Sequence, residues 1–143
     1  MKAHPQQAAS PQELLALMPF AALVGLRAER AGAQEVTLRL AWSAERCTAA
    51  GVLHGGALVT LADCAAGICA HLNLPAGAAT STIELKTHFF AAVRGGEVVA
   101  TARPLHLGAS FAVIQTELFH ETDKGVRRQV GHSTQTQAVL RGH

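Results

Sequence analysis

The segment from Gly55 to Leu72 limits most strongly what this chain can fold into. It reads GGALVTLADCAAGICAHL and is small and apolar almost all round. The segment is too long for a typical strand, and a helix that is apolar on every side is normally buried. We therefore predict a buried helix over residues 55–72.

Alternating apolar and polar residues predict strands on both sides of this helix. Within Glu35–Trp42, apolar Val36, Leu38, Leu40 and Trp42 alternate with polar Glu35, Thr37 and Arg39. The turn at residues 32–34 places the hairpin partner of this strand within residues 20–31. Four further runs follow the helix at hairpin spacing. They are Thr80–Phe90, Glu97–Leu107, Ser110–His120 and Val126–Leu140. Pro104, inside the second run, predicts an edge position or a bulge.

The N-terminal region predicts one short helix. Ser10 can cap it, Pro11 fits its first position, Glu13 has the capping-box spacing, and Pro19 should end it. The full order gives an α+β fold in which an antiparallel sheet curls around the lone apolar helix. At 143 residues, we expect a single domain over 1–143, with residues 1–9 flexible.

Composition argues against several classes of protein. Charged residues make up 15% of the chain and the net charge is +2, with basic residues scattered, so we expect no nucleic-acid partner. The first ten residues lack the apolar run of a signal peptide, and no apolar run reaches the roughly 18 residues of a membrane span. We therefore expect a cytoplasmic protein without a membrane partner.

Residues that could hold metals or carry other catalytic chemistry lack the required spacing. Three cysteines, Cys47, Cys64 and Cys69, include no CxxC pair, which argues against a disulfide scaffold or zinc ribbon. The histidines show no paired metal-ligand spacing, so we expect no metal. GxSxG, P-loop and GxGxxG motifs are also missing from the sequence.

The stretch Gly51-Val52-Leu53-His54-Gly55-Gly56 leads directly into the predicted helix. Consecutive glycines let another group approach the backbone, and the first N–H groups of a helix have no internal partner. Together with the helix dipole, these features favour an oxyanion site. The alternative is a tightly packed loop without a ligand.

Asp63 is the only formally charged residue between Arg46 and Glu84. Burying an unpaired carboxylate is costly, which favours a catalytic base or nucleophile. The alternative is that Asp63 caps a loop or pairs with a buried His or Arg. Gly55 and Asp63 lie about 12 Å apart along one helix, too far to act on one carbonyl. Hydrolysis would therefore require a two-fold homodimer with Gly55 from one chain and Asp63 from the other.

Several of these residues resemble a known family. His54-Gly55-Gly56, Leu61-Ala62-Asp63, the run Ser81–Lys86 and Phe89 resemble the PaaI-like (phenylacetate-pathway) branch of hotdog-fold acyl-CoA thioesterases. The resemblance runs from about Gly51 to Val139. It implies a hotdog fold, a homodimer that often pairs into a homotetramer, and hydrolysis of an aryl- or medium-chain acyl-CoA. Coenzyme A is then part of the substrate, and no separate cofactor is implied.

The resemblance also implies residue roles. Gly55 N–H would polarise the thioester carbonyl, and Asp63 would attack it or activate water. Thr82 would help place Asp63 or the water, and His54 would stabilise the turn and contact the substrate oxygen. Substrate contacts are implied for the remaining matched positions, Thr48, Gly56, Leu107, Gly108, Ala109 and Ser110, the last four in the hairpin that meets CoA.

The chain departs from this family at two of those places. Thr48 stands where members often carry Asn or Gln, and the CoA hairpin lacks the arginine that members often have. Arg94 or Lys86 could supply the missing charge, although either could equally be a solvated surface residue.

Two other functions compete with hydrolysis. Hotdog dehydratases and hydratases need a proline-rich loop with a catalytic His, or an Asp and His in one loop, and residues 49–53 supply neither. The other alternative is a non-catalytic acyl-CoA binding protein. The residues before Pro11 are too few for a DNA-binding helix-turn-helix.

Overall fold

The computed structural model describes residues 9–142. The expected flexibility of residues 1–9 lies outside the described residues except for Ala9. The helices are α1 Pro11–Ala16, α2 Pro19–Val24 and α3 Gly55–His71, with a short 3-10 turn at Ala44–Arg46. The strands are β1 Arg27–Ala31, β2 Val36–Ala41, β3 Ala79–Phe89, β4 Glu97–Leu107, β5 Phe111–Glu121 and β6 Arg127–Leu140. The buried helix and the four strands after it agree with the predicted bounds to within one residue at each end.

The N-terminal region contains a helix that the sequence analysis missed. The capping box of Ser10 and Glu13 is formed in both directions, as predicted. Pro19, however, begins α2 at its first position, where its fixed φ and missing N–H are tolerated. Gly25 ends α2 with φ of 91°, so the predicted hairpin partner shrinks from residues 20–31 to β1.

The six strands form one antiparallel sheet in the order β1-β2-β4-β5-β6-β3. One face of this sheet packs against α3, which contacts β2, β3, β4, β5 and β6. Most α3 residues from Leu58 to Ala70 are buried. This confirms the α+β hotdog arrangement of a sheet around one long helix. Pro104 lies beyond the end of the β2 pairing and beside a bulge opposite β5, which confirms both features expected of it.

The two edges of the sheet differ sharply. Edge strand β1 has five residues and carries Arg27, Glu29 and Arg30. Edge strand β3 has eleven residues and exposes Ile83 and Phe89 to 63% and 49%. The long edge of β3, where Ile83 and Phe89 are exposed beside Glu84 and Lys86, is a ready template for another strand, whereas the short, charged edge of β1 discourages pairing.

Candidate active site

The N-terminus of α3 presents one backbone donor that no described residue uses. His54 is the N-cap, and its Nδ1 accepts the N–H of Gly56 at 2.8 Å. The N–H of Gly55 makes no hydrogen bond within residues 9–142. Because Nδ1 is an acceptor here, a neutral His54 carries its proton on Nε2. This tip therefore offers a free N–H from Gly55, while the N–H of Gly56 is already taken.

Two cavities flank this helix tip. One, of about 480 Å³, is lined by residues that include Phe20, Leu23, His54 and Gly56. The other, of about 410 Å³, is lined by residues that include Thr48, Gly55 and Phe89. A Cβ added to Gly55 would lie 3.2 Å from the Phe89 ring, so a larger residue would press on that ring. Thr48 thus shares a cavity with Gly55, and its Oγ1 accepts the Ala50 N–H at 3.5 Å.

Asp63 is half-buried on α3 and is held by neutral donors. Thr82 Oγ1 and Gln135 Nε2 both donate to Asp63 Oδ1, each at 2.9 Å. Asp63 forms no ion pair with any described residue. The alternative that Asp63 is neutralised by a buried His or Arg of its own chain therefore does not hold within residues 9–142.

A bulge in β3 aims Thr82 at Asp63. The pairing of β3 with β6 shifts between Thr82 and Glu84, which leaves Ile83 without a partner opposite it. Bulges locally twist a strand and often redirect side chains next to functional sites. The predicted proximity of Thr82 and Asp63 is therefore present as a direct hydrogen bond.

The residues expected at the CoA hairpin lie at the opposite end of the sheet from Gly55. Ser110 accepts the N–H of Val139, near the end of β6, whereas the Phe89 that borders Gly55 pairs with Gly131 near its beginning. Within one chain, the structure brings Leu107, Gly108, Ala109 and Ser110 to neither of the cavities beside Gly55. Within one chain, the candidate site residues thus fall into two groups, one at each end of the sheet.

The described residues offer one cation beside this hairpin. Arg141 Nη2 donates to the carbonyl of Ala109 at 3.2 Å. Of the two cations suggested by the sequence, Arg94 contacts the Ala50 carbonyl at 3.0 Å near Thr48, and Lys86 is exposed on β3. Of the three cations, Arg141 is the best placed to serve the hairpin, and it was not predicted from the sequence.

Gln135 and Gln137 are the other missed residues at this site. Both lie on the inward face of β6 and are 0% and 2% exposed. Gln135 Nε2 donates to Gln137 Oε1 at 2.7 Å as well as to Asp63. The available signal was the run His132–Gln137, which has no apolar residue although it lies within a strand-like segment.

Two buried cysteine thiols on α3 have raised pKa values. Burial raises the pKa of the Cys64 thiol to about 11, and the negative charge of Asp63 adds to this shift. Burial alone raises the pKa of Cys69 to about 11. Both thiols are therefore protonated at neutral pH and are poor nucleophiles.

Residues 9–142 contain neither a metal-binding cluster nor a membrane-spanning helix. No group of three or more His, Cys, Asp or Glu side chains is arranged to hold a metal ion. None of the helices in this range has the length and apolar character needed to cross a bilayer.

Sequence comparison links the chain to known proteins. Residues 50–126 match the family model described as the thioesterase superfamily. The chain is 35% identical over 74 residues to 1,4-dihydroxy-2-naphthoyl-CoA hydrolase of Listeria monocytogenes, a match covering 52% of this chain and 60% of that protein. The Escherichia coli protein of the same name is 34% identical over 71 residues, covering 50% and 52%. The matches thus span little more than half the length of these relatives.

Comparison of structures extends the likeness over most of the chain. A thioesterase family protein from Silicibacter pomeroyi superposes with a TM-score of 0.85 and 26% identity, covering 90% of this chain and 93% of that one. A point mutant of the phenylacetic acid degradation protein PaaI from Thermus thermophilus gives a TM-score of 0.76 and 24% identity, covering 86% and 100%. The likeness to PaaI is one of fold.

Proposed function

Because the chain belongs to the thioesterase superfamily, we propose that it hydrolyses an acyl-CoA thioester to the free acid and CoA. One observation carries this proposal. Among residues 9–142, a single helix bears an N–H at Gly55 without a partner and, two turns further on, a carboxylate at Asp63 that is held only by neutral donors. These are the two groups that acyl transfer needs, a donor for the oxyanion and a base or nucleophile.

The roles follow from what each group can donate or accept. The Gly55 N–H donates a hydrogen bond to the thioester carbonyl oxygen as negative charge develops on that oxygen, and the helix dipole adds to this stabilisation. Asp63 acts on the carbonyl carbon, directly or through a water molecule. Thr82 holds the carboxylate in place. His54 leaves Gly55 N–H free by capping Gly56, and its Nε2–H is available to the substrate oxygen.

A homodimer joined at β3 would bring the two groups together. Gly55 and Asp63 of one chain are about 12 Å apart along α3. If two β3 edges pair antiparallel about a two-fold axis, the Phe89 end of one strand lies beside the Ala79 end of the other. Gly55 of one chain would then approach Asp63 and the CoA hairpin of its partner. The length of the β3 edge and the exposure of Ile83 and Phe89 on it support this pairing.

The substrate is proposed to be an aryl- or medium-chain acyl-CoA. Of four relatives that match about half of the chain, two are named 1,4-dihydroxy-2-naphthoyl-CoA hydrolase and two are named putative esterase. The cavity beside His54 has Phe20 and Leu23 in its walls, which suit an apolar acyl group. Hairpin residues Leu107 to Ser110, with Arg141 beside them, would receive the CoA moiety.

The deciding experiment is a panel of aryl- and acyl-CoA substrates assayed by release of free thiol. We expect turnover with wild type and a loss of at least about 100-fold in kcat for Asp63→Asn, with KM little changed. Asp123→Asn, which removes an exposed turn carboxylate, is the matched control and should keep wild-type kcat. Binding of acyl-CoA without thiol release would favour the carrier function instead. Entry of oxygen-18 into Asp63 would distinguish a nucleophile from a general base.

A further inference from the structure

Behind Asp63, the inward face of β6 carries polar side chains where the fold would accept apolar ones. Gln135 and Gln137 are 0% and 2% exposed and lie beneath α3. Burying an amide is costly unless it is hydrogen-bonded, so two adjacent buried amides need a reason. Their hydrogen bonds connect a backbone carbonyl at one end to the Asp63 carboxylate at the other.

The Ala138 carbonyl fixes which group donates in every hydrogen bond of this series. The Ala138 carbonyl can only accept, so the Thr80 hydroxyl donates to it, at 2.8 Å. Thr80 Oγ1 then accepts from Gln137 Nε2 at 3.2 Å. This turns Gln137 Oε1 towards Gln135, whose Nε2 donates to it at 2.7 Å and to Asp63 Oδ1 at 2.9 Å.

The orientation of the Gln135 side-chain amide leaves its Oε1 without a hydrogen bond within residues 9–142, but the opposite orientation would be less favourable. Its Oε1 is buried and has no hydrogen-bond partner among the described residues. A flip would direct this oxygen at the Asp63 carboxylate and at Gln137 Oε1, so acceptors would face acceptors. The amide therefore leaves Oε1 unpaired and gives both N–H groups to its neighbours.

Both donors to Asp63 hold the same oxygen. Thr82 and Gln135 each donate to Oδ1, and no described side chain donates to Oδ2. We propose that Gln135, held in orientation by Gln137, is a positioning residue that clamps Asp63 by Oδ1 and directs Oδ2 at the thioester or at the attacking water. This inference rests on the proposed hydrolysis and adds a residue pair to it.

The test replaces the amides by methionine, which has a similar length but no donor. Losing one hydrogen bond to a charged group predicts that Gln135→Met lowers kcat about 10- to 100-fold, with KM within about threefold of wild type. Gln137→Met should lower kcat less, by about three- to tenfold, because Gln137 acts only through Gln135. The double variant should then be no slower than Gln135→Met alone.

Ser133→Ala is the matched control. Ser133 is 1% exposed on the same face of the same strand, and it accepts from Thr87 at 3.0 Å without touching Asp63. It should keep wild-type kcat, whereas a general effect of cutting a buried hydrogen bond in β6 would lower kcat in all variants. An equal loss in Ser133→Ala, or wild-type kcat in Gln135→Met, would overturn the inference.

Near-UV circular dichroism of Trp42 and thermal unfolding establish that each variant is folded. If Gln135→Met does not fold, Gln137→Met and Thr80→Val decide, because both leave Gln135 in place while removing what orients it. Unchanged kcat in both would overturn the inference. Assaying Asp63→Asn in parallel distinguishes failure of the proposed hydrolysis from failure of this inference. Wild-type turnover in Asp63→Asn would contradict the proposed hydrolysis itself. An inactive Asp63→Asn together with fully active amide variants would contradict only the role of Gln135.

Discussion

His54 Nδ1 accepts the N–H of Gly56 at 2.8 Å, two residues further along the chain. The contact is an N-cap made by an imidazole, and it consumes the second N–H of α3 while leaving the first one free. His54 therefore caps α3 at Gly56, and the N–H of Gly55 stays without a partner among residues 9–142.

The capping role of His54 and its proposed contact with the substrate oxygen can be separated by mutation. Asn can accept the same N–H from the N-cap position but offers no ring Nε2–H. We expect His54→Ala to lower the free energy of unfolding by about 1 kcal/mol, measured in urea, and His54→Asn to retain most of it. Both should lose about tenfold in kcat if the imidazole contacts the substrate oxygen. Full kcat in His54→Asn would reduce His54 to a helix cap.

Thr82→Val tests the second donor to Asp63. Valine keeps the β-branched shape on β3 but removes the hydroxyl that lies 2.9 Å from Oδ1. We expect kcat to fall about tenfold with KM little changed, and Thr82→Ser to recover most of the loss. Thr87→Val, which removes the hydroxyl that contacts Ser133, is the control on the same strand. A larger effect from the control would point to strand packing rather than to Asp63.

Much of this fold could be predicted because the patterns were strong and local. The alternation of apolar and polar residues predicted β2, and the uniform apolar run predicted α3 with its lone Asp63. Helix α2 could not be predicted, because Pro19 reads equally well as the end of one helix or the first residue of the next. Only the packing around Ala21, which is fully buried, decides between these readings.

The candidate site was predictable where a residue stands out in its own segment. Asp63 is conspicuous by charge and Gly55 by its position before an apolar run. Gln135 carries no charge, and it meets Asp63 only because β6 lies between β5 and β3 in the sheet. Arg141 likewise reaches the hairpin only through the pairing of β5 with β6. The local sequence shows that residues 132–137 lack apolar side chains, but it does not show which partners Gln135 and Arg141 meet across the sheet.

Buried thiols should give the chain an alkaline dependence of stability. The pKa of Cys64 rises from 9.0 to about 11 in the folded chain, and that of Cys69 does the same. Above about pH 9 the unfolded chain loses these protons first, so the free energy of unfolding falls as pH rises towards 11. The chain has no tyrosine, which leaves few other groups titrating there.

The measurement is the urea midpoint at about pH 8 and about pH 10. Wild type should lose stability between the two, and Cys64→Ala with Cys69→Ala should lose less. Cys47→Ala, which removes a partly exposed thiol, is the control. An equal loss in wild type and the double variant would show that other groups cause the alkaline effect. At neutral pH, the same two thiols should also resist alkylation in the native chain.

The sharing of one site between two chains can be tested by complementation. Gly55→Pro removes the N–H donor at the first helical position, where proline is well tolerated, and the extended His54 backbone is compatible with a following proline. Gly55→Ala is the matched control, since it places the same Cβ against Phe89 but keeps the N–H. We expect Gly55→Pro and Asp63→Asn each to be inactive as homodimers, and Gly55→Ala to be the more active of the two Gly55 variants.

A heterodimer of Gly55→Pro with Asp63→Asn then gives opposite results for the two arrangements. If Gly55 of one chain works with Asp63 of the other, one site of the heterodimer has both groups intact and the other has neither. The purified heterodimer, made by co-expression with two different tags, should therefore recover about half of the wild-type kcat per dimer. If each chain used its own Gly55 and Asp63, every site would lack one group and the heterodimer would stay inactive. Recovery thus requires that the free N–H and the clamped carboxylate meet across the subunit boundary.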